Sequence, residues 1–212
     1  MPRVYLASRS PRRRLLLGDH GIEHQVVADP LDDGRLVPGQ VSPAGWVAAL
    51  AYLKAAAALR RLPPRDPGEA PVPGAAVVLG ADTVVLKDGR VIGQPRDADD
   101  ARAILHALRA GRHEVLTGVS LIDVATRRRE FFVDRAVVRV GPLADDAIDE
   151  YVRSGDWRGK AGAYNLAERL AAGWPIDFEG DPTTIMGLPM ATLPGRLERF
   201  SRACAETADS RA

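Results

Sequence analysis

The chain has 212 residues, 46% hydrophobic and 27% charged, with a formal net charge of +1. That length can bury a sizeable core, in one globular unit or two closely joined lobes. The near-balanced charge argues against a global field for nucleic acid or membrane, so any attraction for anions must come from local clusters. No run approaches a membrane span, and the apolar stretch in MPRVYLAS is too short for a signal peptide. The single cysteine, Cys204, excludes an internal disulfide and argues against a thiolate metal site or a cysteine nucleophile. A reducing, cytoplasmic setting is the expectation.

In chain order, residues 3–7 predict a buried strand. Ser10 fits an N-cap and Pro11 the first helical position, with a helix carrying Leu15, Leu16 and Leu17 that ends near Gly21. A second strand is expected from His24 to Ala28, then a polar stretch, 29–42. Ser42-Pro43 repeats the helix-start signal for an Ala/Leu helix over about 43–61. Five prolines and two glycines make 63–74 a surface loop or hinge.

Ala76 to Gly80 predicts a fully apolar strand ending at Ala81-Asp82-Thr83, and Asp88-Gly89 a hairpin turn before Val91-Ile92. Ala101, Ile104, Leu105 and Leu108 mark an amphipathic helix over 97–110, closed by Gly111. Strands are expected at about 113–124 and 131–140 around a turn built on Arg127, Arg128 and Arg129. A short helix (144–153), a glycine-rich loop and, after Gly187-Leu188-Pro189, a terminal helix complete the reading. A tail is expected over about 205–212. Strands and helices alternate with intruding hairpins, so the class is α/β with a mixed sheet.

Four places carry candidate chemistry. In the strand-loop-helix unit at Ser8 to Arg14, orphan N–H groups and the helix dipole favour an anion. Arg12 and Arg13 oppose that dipole. They are either a solvated basic turn or a phosphate clamp, for which guanidinium forks are suited. Lys54, within an apolar helix, either snorkels to water or points its ammonium into a phosphate cleft. Asp82 is either a turn-forming aspartate bonded to Thr83 or a ligand-side carboxylate, as general base for water or as a divalent-metal ligand. Lys160-Ala161-Gly162-Ala163-Tyr164 offers a further cation on a loop whose glycine allows close approach, or else a plain mobile loop. His20, His24, His106 and His113 show no paired spacing for zinc. The three arginines at 127–129 read as an exposed hairpin, without the interleaved aromatics of a nucleic-acid surface.

Taken together, these stretches resemble the Maf family of septum-formation-inhibitor-like nucleoside triphosphate pyrophosphatases, from about residue 4 to 195. The resemblance rests on Leu6-Ala7-Ser8 with Ser10-Pro11-Arg12-Arg13, Leu50-Ala51 with Lys54-Ala55, and Gly80-Ala81-Asp82-Thr83-Val84-Val85. It continues through His113-Glu114-Val115, Thr117-Gly118-Val119, Lys160 to Tyr164, Glu179-Gly180 and Gly187-Leu188-Pro189. It implies one Maf-like domain over 1–212, with a mixed central sheet flanked by helices. Its two lobes would surround a cleft, as in inosine triphosphate pyrophosphatase-like folds. It further implies a hydrolase acting on acid anhydrides, which splits the α–β bond of nucleoside triphosphates into a monophosphate and pyrophosphate with a divalent cation, Mg or Mn.

By that resemblance Asp82 is the proton acceptor, and Ser8, Arg13, Lys54 and Lys160 bind phosphates or stabilise the leaving pyrophosphate. Asp33 helps Asp82 hold the metal. Arg12 and Thr83 match the branch acting on dTTP and UTP, while Ala167 stands where that branch has glutamine. Glu168, next to it, offers a carboxylate to the base if the loop shifts by one residue. Gln94 replaces a lysine of the family pattern, and Asp33 a glutamate. The expected partner is a nucleoside triphosphate, ordinary or modified, with no nucleic acid or membrane; a homodimer is allowed. The alternative is a non-catalytic nucleotide-binding regulator of cell division.

Overall fold

The computed structural model describes residues 1–27, 36, 39–63 and 72–209. In chain order the elements are β1 (Arg3–Ala7), α1 (Pro11–Asp19), β2 (His24–Val26), α2 (Pro43–Leu59), β3 (Ala76–Lys87), β4 (Arg90–Ile92) and α3 (Ala98–Leu108). There follow β5 (Gly111–Asp123), β6 (Arg129–Val140), α4 (Asp145–Ser154), a 3-10 turn (Ala161–Ala163), α5 (Leu166–Ala171), β7 (Ile176–Glu179), α6 (Pro182–Met186) and α7 (Leu193–Asp209). Seven strands form one mixed sheet in the order β2-β1-β3-β5-β6-β7, with β4 paired to β3. The expected mixed α/β class holds.

The chain divides into two compact units. The first comprises Met1–Asp82, Gly118–Val133 and Gly187–Ala212, the second Thr83–Thr117 and Asp134–Met186. In the first, β1 lies parallel to both β2 and β3, with Val4 opposite Val77 and Ala7 opposite Gly80. Val4, Leu6, Val77, Val78 and Leu79 are all fully buried. That is why these strands read as apolar runs without alternation. Helix α1 buries Arg13, Leu16 and Leu17. The 3.6-residue period that gathers those three sends Leu15 outward, 65% exposed, so the leucine block is not one buried face.

Ser42 starts α2 by accepting a hydrogen bond from the Gly45 N–H at 3.2 Å. The helix buries Val47, Leu50, Ala51, Ala55 and Ala58. Small residues let it lie very close to the sheet. A Cβ built on Gly80 would stand 2.2 Å from the Ala51 carbonyl oxygen, and one on Gly118 2.6 Å from that of Val47. The turn between β5 and β6 is closed by the fully buried Asp123, which accepts from the N–H groups of Thr126 (2.7 Å) and Gly74 (2.8 Å). Arg127–129 are exposed there as expected, though Arg128 and Arg129 reach back to the Ala203 carbonyl and the Tyr52 hydroxyl.

In the second unit, Val85, Leu105, Leu108, Val138, Ile148, Tyr151 and Trp157 belong to one core cluster. Asp97 caps α3 through the Asp100 N–H, 2.8 Å away, and α4 ends on Gly155 at φ +77°.

Several boundaries differ from expectation. β3 does not end near Ala81 but continues to Lys87, because Val85, Leu86 and Lys87 pair antiparallel with Ile92, Val91 and Arg90. Gly111 opens β5 and does not close α3. α7 runs to Asp209, so the expected tail is helical over 205–209. Ala28, much of the 29–42 stretch and residues 64–71 lie outside the described residues. Among the described residues no helix is long and apolar enough to cross a membrane.

Gly80→Ala should destabilise the fold by about 1–3 kcal/mol through overpacking against α2. Thermal unfolding should register this as a melting temperature lower by roughly 2–4 °C per kcal/mol. An unchanged melting temperature would contradict the close approach.

Candidate active site

The first unit carries five of the expected residues: Ser8 just after β1, Arg12 and Arg13 on α1, Lys54 on α2 and Asp82 on β3. Side chains two apart on a strand share a face, so Asp82 projects on the side where Gly80 admits α2. Lys54, one turn beyond Ala51, reaches across that contact. Its Nζ donates to Asp82 Oδ1 at 2.6 Å, with side-chain exposures of 12% and 11%. The snorkelling alternative for Lys54 therefore gives way to a nearly buried ion pair. Asp82 sits within β3 and not in a turn.

Arg13, 9% exposed, is held from two sides: its Nε donates to the Gly187 carbonyl at 2.9 Å and its Nη1 to Ser8 Oγ at 3.2 Å. Ser8 Oγ also accepts the Ser10 N–H at 3.2 Å. Ser10 caps α1 by backbone shape alone, without a side-chain bond to the helix. Arg13 is thus no solvated basic turn; it is buried at the first turn of α1. Arg12 is half-buried and Arg14 exposed. Asp33 lies outside the described residues.

In the second unit, the Thr117 hydroxyl donates to the Thr184 carbonyl at 2.8 Å. With that proton committed, the 2.9 Å contact between Thr83 Oγ1 and Thr117 Oγ1 must run from Thr83 to Thr117. Lys160 is 7% exposed at the start of the loop that leads into α5. Gly162 lies at φ +70°, donates to the Gly93 carbonyl at 3.0 Å, and leaves no space for a Cβ, which would stand 2.7 Å from Val85 Cγ2. Ala163 follows at φ +66°, a conformation costly for alanine, with its carbonyl accepting the Tyr151 hydroxyl at 3.0 Å. Tyr164 pairs its hydroxyl with His113 Nε2 at 2.8 Å. The loop is pinned, not mobile.

Sequence reasoning assigned no role to His113 beyond motif membership. It is 2% exposed, and burial, followed by the charge of Lys87, lowers its pKa to about 4. Burial likewise pushes the Tyr164 hydroxyl up from its ordinary value. Asn165 caps α5 by accepting the Glu168 N–H at 3.2 Å. The Glu168 carboxylate pairs with Lys160 Nζ, and Ala167 beside it is exposed. Glu168, the carboxylate expected to offer itself to a base, is thus engaged with a cation.

Two consequences are measurable. Lys54→Met removes a hydrogen-bonded partner from a buried carboxylate and should cost about 1–3 kcal/mol of stability. Adding Asp82→Asn should recover part of that loss in a double-mutant cycle, whereas strictly additive losses would deny the coupling. The second concerns acid. Between the ordinary imidazole pKa and about 4, an unfolded chain binds a proton at His113 that the folded one refuses. Stability should therefore fall as pH is lowered through that window, by about 1.4 kcal/mol per pH unit at most. His113→Gln should flatten the stability curve there in urea titrations; an unaltered slope would deny the burial effect.

Residues 3–200 match the family described as Maf-like protein. A dTTP/UTP pyrophosphatase of Pelotomaculum thermopropionicum is 38% identical, covering 94% of this chain and 97% of its own. One of Aromatoleum aromaticum is 42% identical over 93% and 95%, and one of Burkholderia pseudomallei 40% over 89% of each. Among solved structures, that of the Staphylococcus aureus Ham1 protein aligns over 68% of this chain and 72% of its own, at 15% identity and a TM-score of 0.37, too slight a likeness to carry argument. By its family match along nearly the whole length, the chain belongs to the Maf-like proteins.

Proposed function

We propose that this protein is a nucleoside triphosphate pyrophosphatase, which hydrolyses the α–β anhydride to a nucleoside monophosphate and pyrophosphate. The observation that carries the reading is the Lys54–Asp82 pair, an ammonium and a carboxylate 2.6 Å apart at the α2–β3 contact. Relatives at 38–42% identity are named for this activity on dTTP and UTP. Asp82 as an anion takes the proton of the attacking water, while Lys54 moves its ammonium toward the phosphates. Arg13, already oriented by Ser8 and Gly187, presents a planar fork to phosphate oxygens. Lys160 adds charge for the leaving pyrophosphate.

Among the described residues no three His, Cys, Asp or Glu cluster to hold a metal, so a hard divalent cation would rest on few protein ligands. Such ions bind through one or two carboxylates and complete their shell with water and substrate phosphate oxygens, and Asp82 supplies one carboxylate. Asp82, together with Asp33, would hold Mg or Mn, which when bound supplies neutralising charge to the triphosphate. The substrate is a pyrimidine triphosphate, dTTP or UTP, or a modified nucleotide, selected less strictly where Ala167 lacks the amide of glutamine. A cytoplasmic, reducing location suits the single buried thiol. The non-catalytic alternative raised by Gln94 is disfavoured by the retained acid–ammonium pair.

Asp82→Asn keeps the shape of the side chain but cannot take a proton. Pyrophosphate release from dTTP and UTP, assayed with Mg or Mn, should fall by about a hundredfold or more. Circular dichroism of the variant should match that of the unaltered protein. Turnover close to that of the unaltered protein would overturn the assignment.

A further inference from the structure

Lys160 and Glu168 are unequal partners. The lysine side chain is 9% exposed and the glutamate 44%. The loop that follows Lys160 is held in place: Gly162 bonds to the Gly93 carbonyl, the Ala163 carbonyl to the Tyr151 hydroxyl and Tyr164 to His113. Glu168 is the third residue of α5, after its Asn165 N-cap. The pair Asn165…Glu168 is the sequence signature of a capping box, in which the acid turns back to the N-cap amide. Here the carboxylate goes to Lys160 instead.

We propose that Glu168 is a built-in counter-anion for Lys160, which a polyphosphate displaces on binding. A buried ammonium without a partner is costly. A carboxylate on an exposed stem can leave for water at little cost, since such half-exposed pairs contribute little net free energy. The lysine therefore stays in place while its anion exchanges. Glu168 competes with the substrate's phosphate for the same ammonium, holding the ligand-free loop together and lowering affinity for polyphosphate. The inference rests on Lys160 as a phosphate-binding cation, as proposed above.

Inorganic pyrophosphate is the probe, titrated calorimetrically into the full-length protein with Mg present. Glu168→Gln and Glu168→Ala should each bind it about twofold to fivefold more tightly than the unaltered chain. Pyrophosphate should also raise their melting temperatures more. In a Lys160→Met background the same substitutions should change affinity by less than the error of the titration. Equal or weaker binding by both Glu168 variants in folded protein overturns the counter-anion role, as does tightening that persists without Lys160. If the unaltered protein binds neither pyrophosphate nor a nucleoside triphosphate, the functional reading falls and this inference with it. Binding and turnover without tightening remove only this inference.

Discussion

The contact of α2 with β3 is the constraint on which the candidate site depends. A helix normally packs on a sheet through intervening side chains, which hold the two backbones farther apart than they are here. Gly80 removes the spacer, and the alanines at 51 and 55 remove it from the other side. The backbones then approach until Lys54 can reach Asp82, beside the fully buried Ala55 on the helix and Ala81 on the strand. Tight packing and placement of the charges are one event. The apolar burial of Val47, Ala51, Ala55, Val78 and Leu79 offsets the desolvation of the pair, a task that the pair's own attraction would accomplish only in part.

Charge is handled differently at the two other buried cations. Arg13 is satisfied by neutral acceptors, a serine hydroxyl and a backbone carbonyl. Those two acceptors orient its fork before any ligand arrives. Lys160 is paired with a formal charge, so its field is cancelled until the carboxylate moves away. The first arrangement favours binding through preorganisation; the second moderates it. An enzyme that must release pyrophosphate after each turnover benefits from holding some of its cations under such restraint.

The local signals were legible where one residue type fixes one conformation. Ser10-Pro11 and Ser42-Pro43 marked the starts of α1 and α2, Asp88-Gly89 the β3–β4 hairpin, and the apolar run at 76–80 a buried strand. The strand's continuation through Asp82 and Thr83 was not, because two polar residues read as an ending unless the pairing of β4 is known. The short elements α5, β7 and α6 went unseen, being too brief to show a period. Among the site residues, type and position could be read, but partners could not. Whether Lys54 meets water or Asp82, and whether Glu168 faces a base or Lys160, depends on which segments meet in space. Nothing in the spacing of 54 from 82 encodes that.

The loop that carries Lys160 shows why a pinned geometry needs neutral anchors. Two consecutive left-handed residues, Gly162 and Ala163, turn the chain sharply and would open without restraint. The restraints are two tyrosine hydroxyls, one on a carbonyl and one on a histidine whose pKa burial holds near 4. The Tyr164 hydroxyl, pushed up by burial, and the His113 imidazole, held near 4, both stay neutral around pH 7, so their hydrogen bond keeps its form across that range. A protonated imidazole at His113 would put a positive charge against the Tyr164 hydroxyl, with Lys87 already acting on it. Burying the histidine keeps that charge away from the Tyr164 anchor, and the buried cation of the loop is the lysine that Glu168 holds.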